Sequence, residues 1–198
     1  MGDLFLSLAA MSVVSSITPG PNNVMLMASG ARFGITRTLP HLAGIWVGFS
    51  LMMALVGLGF GAVIESQPEV HRALKFVAAA FIVYIAWKIA RAGAIEAETD
   101  GAFRPMRPHE AALFQAVNPK AWSMILAVMA LFTTATSDKY GEVAWIVGVF
   151  SLFGIPCSFT WCLAGHFLAR FFRSPRIAAI ANVAMAVLLV LTVLPMLI

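Results

Sequence analysis

The chain has 198 residues, of which 61% are hydrophobic and only 11% charged. A soluble domain carries about 25% charge, so too little polar surface exists here to cover a soluble globule; disorder and a disulfide-stapled secreted scaffold are excluded as well. The net charge of +4 is small and points to no nucleic-acid partner, which leaves an all-α integral membrane protein, expected to form one domain over residues 1–198.

Crossing about 30 Å of hydrocarbon takes about 20 apolar residues, and six stretches meet that length. The first runs from Leu4 to about Ser29 and is interrupted by Thr18-Pro-Gly-Pro21. No Lys or Arg precedes it and it meets no small-residue cleavage site, so it reads as a span rather than a removable signal. The second covers about His41 to Ile64, and the third about Arg72 to Ala90. The fourth, about Ala111 to Thr134, is interrupted at Asn118-Pro119-Lys120. The fifth runs from Val143 to about Ala169, and the sixth from Ile177 to Ile198.

Nine of the thirteen Lys and Arg residues follow the first, third and fifth spans: Arg32, Arg37, Lys88, Arg91, Arg104, Arg107, Arg170, Arg173 and Arg176. The other side holds Arg72, Lys75 and Lys139, while Lys120 lies within a span. Basic loops stay in the cytoplasm, which predicts a multi-pass membrane protein with both termini outside. Residues 92–109 form the one substantial connection, a cytoplasmic linker between half-repeats at about 1–91 and 110–198.

The two proline interruptions lie 100 residues apart, Pro19 against Pro119, each in the first span of a three-span half. An odd number of spans per half turns the second half over, so the expected fold is two inverted three-helix repeats, the first helix of each broken at proline. Proline removes a donor and frees a carbonyl within the span, and such backbone is tolerated where it is buried in protein or lines a wet cavity. The candidate translocation site is therefore Thr18, Pro19, Gly20, Pro21, Asn22 and Asn23 in one half, with Asn118, Pro119 and Lys120 in the other. Backbone groups at the breaks would hold the amino and carboxylate ends of a solute, and Asn22 and Asn118 would orient it. Lys120 would pair with the carboxylate, or stand in for a bound cation in one state; the bland alternative is a lysine snorkelling to the surface.

Pro156 and Asn182 are further pathway candidates, a kink and a lone amide in the fifth and sixth spans. His41 and His166 fall at predicted cytoplasmic ends and read as interface residues. Gly44-x-x-x-Gly48 and Gly57-x-x-x-Gly61 would allow close helix packing, within the chain or across a homodimer. Cys157 and Cys162, five apart on one helix, suggest neither a disulfide nor a metal site. No nucleotide-binding fingerprint, zinc motif or nucleophile triad is present, so no enzyme, cofactor or metal centre is expected. A membrane carboxylate deep in a span is missing too, so the residues themselves display no acidic proton relay.

Ile17-Thr-Pro-Gly-Pro-Asn-Asn-Val-Met25, followed by Phe33-Gly34 and His41-x-x-Gly44 with Gly48, resembles the N-terminal signature of the LysE/RhtB family of amino-acid exporters. Leu74-Lys75-Phe76, Tyr84-Ile-Ala-Trp-Lys88 and Phe114-Gln-Ala-Val-Asn-Pro-Lys-Ala121 extend the resemblance, and Gly165 and Asn182 carry it to the later spans. Ala78 to Ala80, Ala86, Ala184 and Ala186 depart from it where the family favours glycine. The resemblance implies export of small amino acids or derivatives driven by the proton motive force. Val24-Met-Leu-Met-Ala-Ser-Gly30 with Thr38-Leu-Pro-His41 resembles the branch exporting cysteine and O-acetylserine; a homoserine- or threonine-like solute is a neighbouring expectation. The expected partners are that solute and membrane lipid. An exporter of metal ions or other small solutes, or a non-transporting assembly protein, is the alternative.

Overall fold

The computed structural model describes residues 2–60, 68–91, 104–133, 138–169 and 175–191. Residues 92–103 of the expected linker, the expected ends of the second and sixth spans, Gly61, and Arg170 and Arg173 lie outside them.

All described regular structure is helical: α1 Gly2–Ile17, α2 Pro21–Leu55 continuing into a π-helical turn Val56–Phe60, α3 Pro68–Ala90, α4 Pro108–Gln115, α5 Pro119–Phe132, α6 Lys139–Leu168 and α7 Pro175–Leu191. Five of these begin on proline, whose missing N–H is one of the donors a first helical turn leaves unpaired. Helix α2 is two helices meeting at Gly34, where φ is 77° and ψ 176°, a combination essentially confined to glycine. Thr38 clamps this turn by donating to the Gly34 carbonyl at 2.8 Å, and its hydroxyl lies 3.1 Å from that of Ser29.

The Pro21–Gly59 and Lys139–Leu168 helices are each long and apolar enough to cross a bilayer. Among the described residues, four further apolar helical stretches, Gly2–Ile17, Ala79–Ala90, Pro119–Phe132 and Arg176–Leu191, are shorter than an unbroken span. The physical reason is plain for two of them: α1 stops at Ile17 and α5 starts at Pro119, beside the proline interruptions.

The main core joins α2 and α6 with α1, α4 and α5. Phe49 and Phe150 stack with ring centroids 5.5 Å apart, and Trp46 meets Phe49 edge-on at 5.3 Å. Gly44 and Gly48 pack directly on the backbone of Pro108 and Ala112, where a Cβ at either position would overlap α4. That small-residue face is thus consumed within the chain rather than offered to a second copy. Helices α3 and α7 pair with each other. A second cluster, with Val24, Met25, Ile82, Phe114, Met185 and Leu189, joins them to α2 and α4. Leu6, Val47, Leu152 and Ile180 are exposed apolar side chains on the outside, the surface a membrane lipid phase covers rather than water.

Candidate functional site

The two proline breaks meet. Helix α1 ends at Ile17 and α2 restarts at Pro21; α4 ends at Gln115 and α5 restarts at Pro119. Ends and restarts are both 98 positions apart, so the structural counterpart of Pro119 is Pro21, not Pro19. The 100-residue match of prolines thus misaligns the breaks by two residues. The restart at α5 is capped by its own Asn118, whose Oδ1 accepts from the Lys120 and Ala121 amides at 3.2 and 3.4 Å. At α2 the equivalent residue is Gly20, which has no side chain to cap with.

Each break is completed by the other. The Lys120 ammonium donates to the Thr18 carbonyl at 2.7 Å, the Thr18 hydroxyl at 2.9 Å and the Pro19 carbonyl at 3.3 Å. It therefore reaches across to the C-terminal end of α1 instead of snorkelling to the surface. A positive charge is favourable there, because the last carbonyls of a helix are unpaired and carry the negative end of its dipole. Gly20 faces the Lys120 stem, and a Cβ there would lie 2.5 Å from Cδ.

Asn22 and Gln115 exchange amide hydrogen bonds, Asn22 Nδ2 donating to Oε1 at 2.9 Å and Gln115 Nε2 donating back to Oδ1 at 3.2 Å. Asn118 Nδ2 donates to the same Gln115 Oε1 at 3.3 Å, and Gln115 Nε2 also reaches the Ala111 carbonyl at 2.8 Å. Asn23 donates to the carbonyls of Ser16 and Thr18 at 2.7 and 2.8 Å, tying α2 back onto the end of α1. Two indoles finish the set: Trp161 donates to the Ile17 carbonyl and Trp122 to that of Ala116. The breaks are thus a cross-braced polar lattice. Gln115, wholly buried at its centre, is the residue that sequence reasoning missed.

Two spaces adjoin this lattice. A small one of about 40 Å³ is lined by Gly20, Asn22, Asn118 and Lys120, together with Ser16 and Trp46. The Ser16 hydroxyl and the Trp46 Nε1 are buried there without hydrogen-bond partners. A large cavity of about 690 Å³ lies beside the break, within the size range of small-molecule sites. Met25, Phe81, Phe114 and Met185 give it an apolar wall; Arg32, His41, Lys88, Arg104, Glu110 and Asn182 add polar groups. Asn182 lies on the wall of the large cavity. Pro156 is exposed on α6 and lines neither space. Thr18 and Pro19 contribute their oxygens to Lys120 rather than to either cavity wall.

At the cavity mouth, ahead of the expected fourth span, Arg104 grips Glu110 with both guanidinium nitrogens, at 2.8 and 2.5 Å. The Arg107 amide donates to the same carboxylate at 2.8 Å. Hydrogen bonding from Arg104 is the main reason the Glu110 carboxyl is held well below the usual carboxylate range, at about 2. Among the described residues no group of three or more His, Cys, Asp or Glu could hold a metal ion. Cys157 and Cys162 are both free thiols.

The model of the LysE type translocator matches residues 13–198. The chain belongs to the LysE-type translocator family. Its relatives include the cysteine/O-acetylserine efflux proteins of Escherichia coli strain K12, Shigella sonnei and Shigella flexneri, each 32% identical over 184 residues and matched over 90% of both chains. No solved structure matches. Family membership makes the chain a translocator rather than an enzyme, and both of its proline breaks lie in the polar lattice.

Proposed function

We propose that this LysE-type protein is a secondary exporter of small neutral amino acids or their derivatives, with cysteine and O-acetylserine as the leading solutes. One observation carries the site assignment: the two broken helices meet, and each supplies the polar groups that complete the other, next to a cavity of about 690 Å³. Thr18, Pro19, Gly20, Pro21, Asn22, Asn23, Asn118, Pro119 and Lys120 then form the translocation site, with Gln115 added at its centre.

The chemistry fits a zwitterion. Helix N-termini at Pro21 and Pro119 favour a carboxylate, and the C-terminal carbonyls of α1 favour an ammonium. Lys120 occupies those carbonyls in this structure, as a cation standing in for one. A solute ammonium competing for Thr18 and Pro19 would release Lys120 toward the solute carboxylate. That exchange loosens the lattice, since Lys120 joins the halves there together with the Asn22–Gln115 pair and the Trp161 bond to Ile17.

The proposed arrangement is six spans in two inverted repeats, at about 1–91 and 110–198, with both termini outside the bacterial cytoplasmic membrane. In this reading α1 with the first part of α2 forms the first span, broken at 18–20, and α4 from Ala111 onward with α5 forms the fourth. The pattern of packing supports the repeat: the second span lies on the fourth through Gly48 and Ala112, and the fifth lies on the first through Ser12, which donates to the Phe150 carbonyl at 2.6 Å. Phe49 stacks on Phe150, and the Ser50 and Ser151 hydroxyls lie 3.2 Å apart, as counterparts do when a twofold axis passes between them. In this orientation the large cavity opens toward the cytoplasm and the rocking of one half on the other alternates access.

The test is accumulation of labelled cysteine, O-acetylserine, threonine, homoserine, leucine, lysine and arginine in inside-out vesicles, with and without a protonophore. Protonophore-sensitive accumulation of cysteine or O-acetylserine is the expected result. Accumulation of none of them by correctly inserted protein would overturn the substrate class.

A further inference from the structure

The two helix restarts differ in one respect. At α5 the cap position is filled by Asn118, whose Oδ1 takes the Lys120 and Ala121 amides. At α2 that position is Gly20, and no side chain caps the helix. The first amides of a helix have no partner within it, so those of Asn22 and Asn23 are open donors at the positive end of α2. The chain cannot fill the place itself. A capping Ser, Asp or Asn needs a Cβ at position 20, and one built there lies 2.5 Å from the Lys120 Cδ. Gly20, Pro21, Asn22 and Asn23 all line the space of about 40 Å³, so the uncapped start of α2 lies on its wall.

A second, independent group belongs to the same space. Ser158 of α6 lines it and is only 5% exposed. Its hydroxyl makes no hydrogen bond among the described residues, and it is not sealed off as the Ser16 hydroxyl is. Its neighbours on α6 fix its direction, because residues three and four apart share a helix face. Trp161 on that face donates to the Ile17 carbonyl at 3.2 Å. Gly154 on it packs against Ser16, whose Oγ would lie 2.9 Å from an added Cβ. Ser158 therefore stands between two contacts to the end of α1, facing the break. Buried hydroxyls are seldom left unpaired. No Asp or Glu lines the space, so what the open amides and this hydroxyl require is an acceptor brought from outside. A water's share of volume is about 30 Å³, so the space takes one small group and not a whole amino acid.

We propose that the uncapped start of α2 is the seat of the solute's carboxylate, which accepts from the Asn22 and Asn23 amides and from the Ser158 hydroxyl. This rests on the exporter reading and deepens it by giving the solute one orientation. The first break then holds both ends: the ammonium on the Thr18 and Pro19 carbonyls, the carboxylate on the amides that follow Pro21. The second break, its cap already filled by Asn118, binds neither end and serves as the support that carries Lys120. Ser158 is thus a binding residue supplied by the fifth span, and the solute's own carboxylate takes the part of the capping side chain that α2 lacks.

The experiment is equilibrium binding of labelled O-acetylserine to the purified full-length protein, wild type and Ser158→Ala, with O-acetylserine methyl ester as an unlabelled competitor. Hydrogen bonds to a charged group are the strong ones, so Ser158→Ala is expected to raise the Kd of the acid about fivefold or more. The ester has no charged carboxylate. It is expected to compete about tenfold more weakly than the acid with wild type, and to lose less than about twofold on Ser158→Ala. The thermal midpoint of the solute-free protein should be unchanged or higher in Ser158→Ala, because the hydroxyl removed has no partner there. An unchanged Kd for the acid, or acid and ester weakened alike, overturns the inference while leaving the exporter reading standing. An ester that competes as well as the acid with wild type does the same, and a lower midpoint would assign the hydroxyl to the fold and overturn it as well. Should Ser158→Ala fail to fold, Ser158→Cys, close in volume and a weak donor, replaces it with the same expectations. If wild type binds no amino acid of the transport panel, this inference and the substrate reading fall together.

Discussion

The Lys120 ammonium satisfies three oxygens of the opposite break, and hydrogen bonds to a charged group contribute about 1.5–3 kcal/mol each way they are counted. Removing it leaves the Thr18 and Pro19 carbonyls without that donor and the two halves without their charged link. Lys120→Met is therefore expected to lower the initial transport rate about tenfold or more at equal membrane abundance, with Lys120→Arg retaining part of it. A Lys120→Met rate equal to wild type in inside-out vesicles would remove Lys120 from the mechanism. Lys120 was legible because a formal charge inside an apolar run is conspicuous in a sequence. Gln115 was not, although it stands three residues before Asn118. An amide in a polar-rich signature has no marker of its own, and its role depends on a residue 93 positions away, Asn22. His41 reads as an interface residue near a span end, and only the packing shows that it is 2% exposed with no hydrogen-bond partner on its ring. Pairings across halves and the shape of a cavity are set by packing, which no local pattern records.

At the level of the elements, proline and glycine placed the breaks, and the sequence shows them directly. Their register was harder to read. Matching Pro19 with Pro119 followed the letters, whereas the helices restart at Pro21 and Pro119, because the first proline of the N-terminal signature lies in the linker before the restart. Gly34 is a simpler case. With φ 77° and ψ 176°, Gly34→Ala forces a side chain into a region costing about 1–3 kcal/mol, and thermal unfolding in detergent should fall accordingly while Gly148→Ala, with open space around it, stays near wild type. At the start of α4 the clasp between Arg104 and Glu110 makes a prediction about pH. The Glu110 carboxyl titrates at about 2 in the folded chain, below its ordinary value near 4.3. A depressed carboxyl contributes stability above its unfolded pKa and loses it as pH falls through its folded pKa. The contribution is thus complete above about pH 4.5 and disappears on the way to about pH 2. Unfolding midpoints measured down that range should fall more steeply for wild type than for Glu110→Gln, and parallel curves would deny the clasp a role.

For the whole molecule, composition was enough to indicate a membrane protein and spacing enough to suggest a two-part chain, but the relation between the parts lies in contacts. Phe49 with Phe150 and Ser50 with Ser151 are pairs 101 positions apart that touch each other. In the proposed inverted-repeat reading, with an offset three residues longer here than the 98 of the two breaks, these pairs would lie near the axis that exchanges the halves. Points on such a line move least when the halves rock. A bridge between positions 50 and 151 is therefore expected to form readily and to leave transport largely intact, in contrast to one tying Lys120 to the opposite break, where the opening must occur. The measurement uses Ser50→Cys with Ser151→Cys in a chain whose Cys157 and Cys162 are replaced by Ser, carrying a protease site between residues 92 and 103. After oxidation and cleavage the halves should remain joined without reductant and separate with it. Cleavage should occur from outside in inside-out vesicles and not in right-side-out ones, because a cytoplasmic linker is exposed only in the former. Cleavage from the opposite face would invert the orientation drawn from the basic residues. Halves that stay joined but no longer transport would show that the second and fifth spans must separate during the cycle, and would replace rocking about this axis with a wider opening of the α2–α6 core.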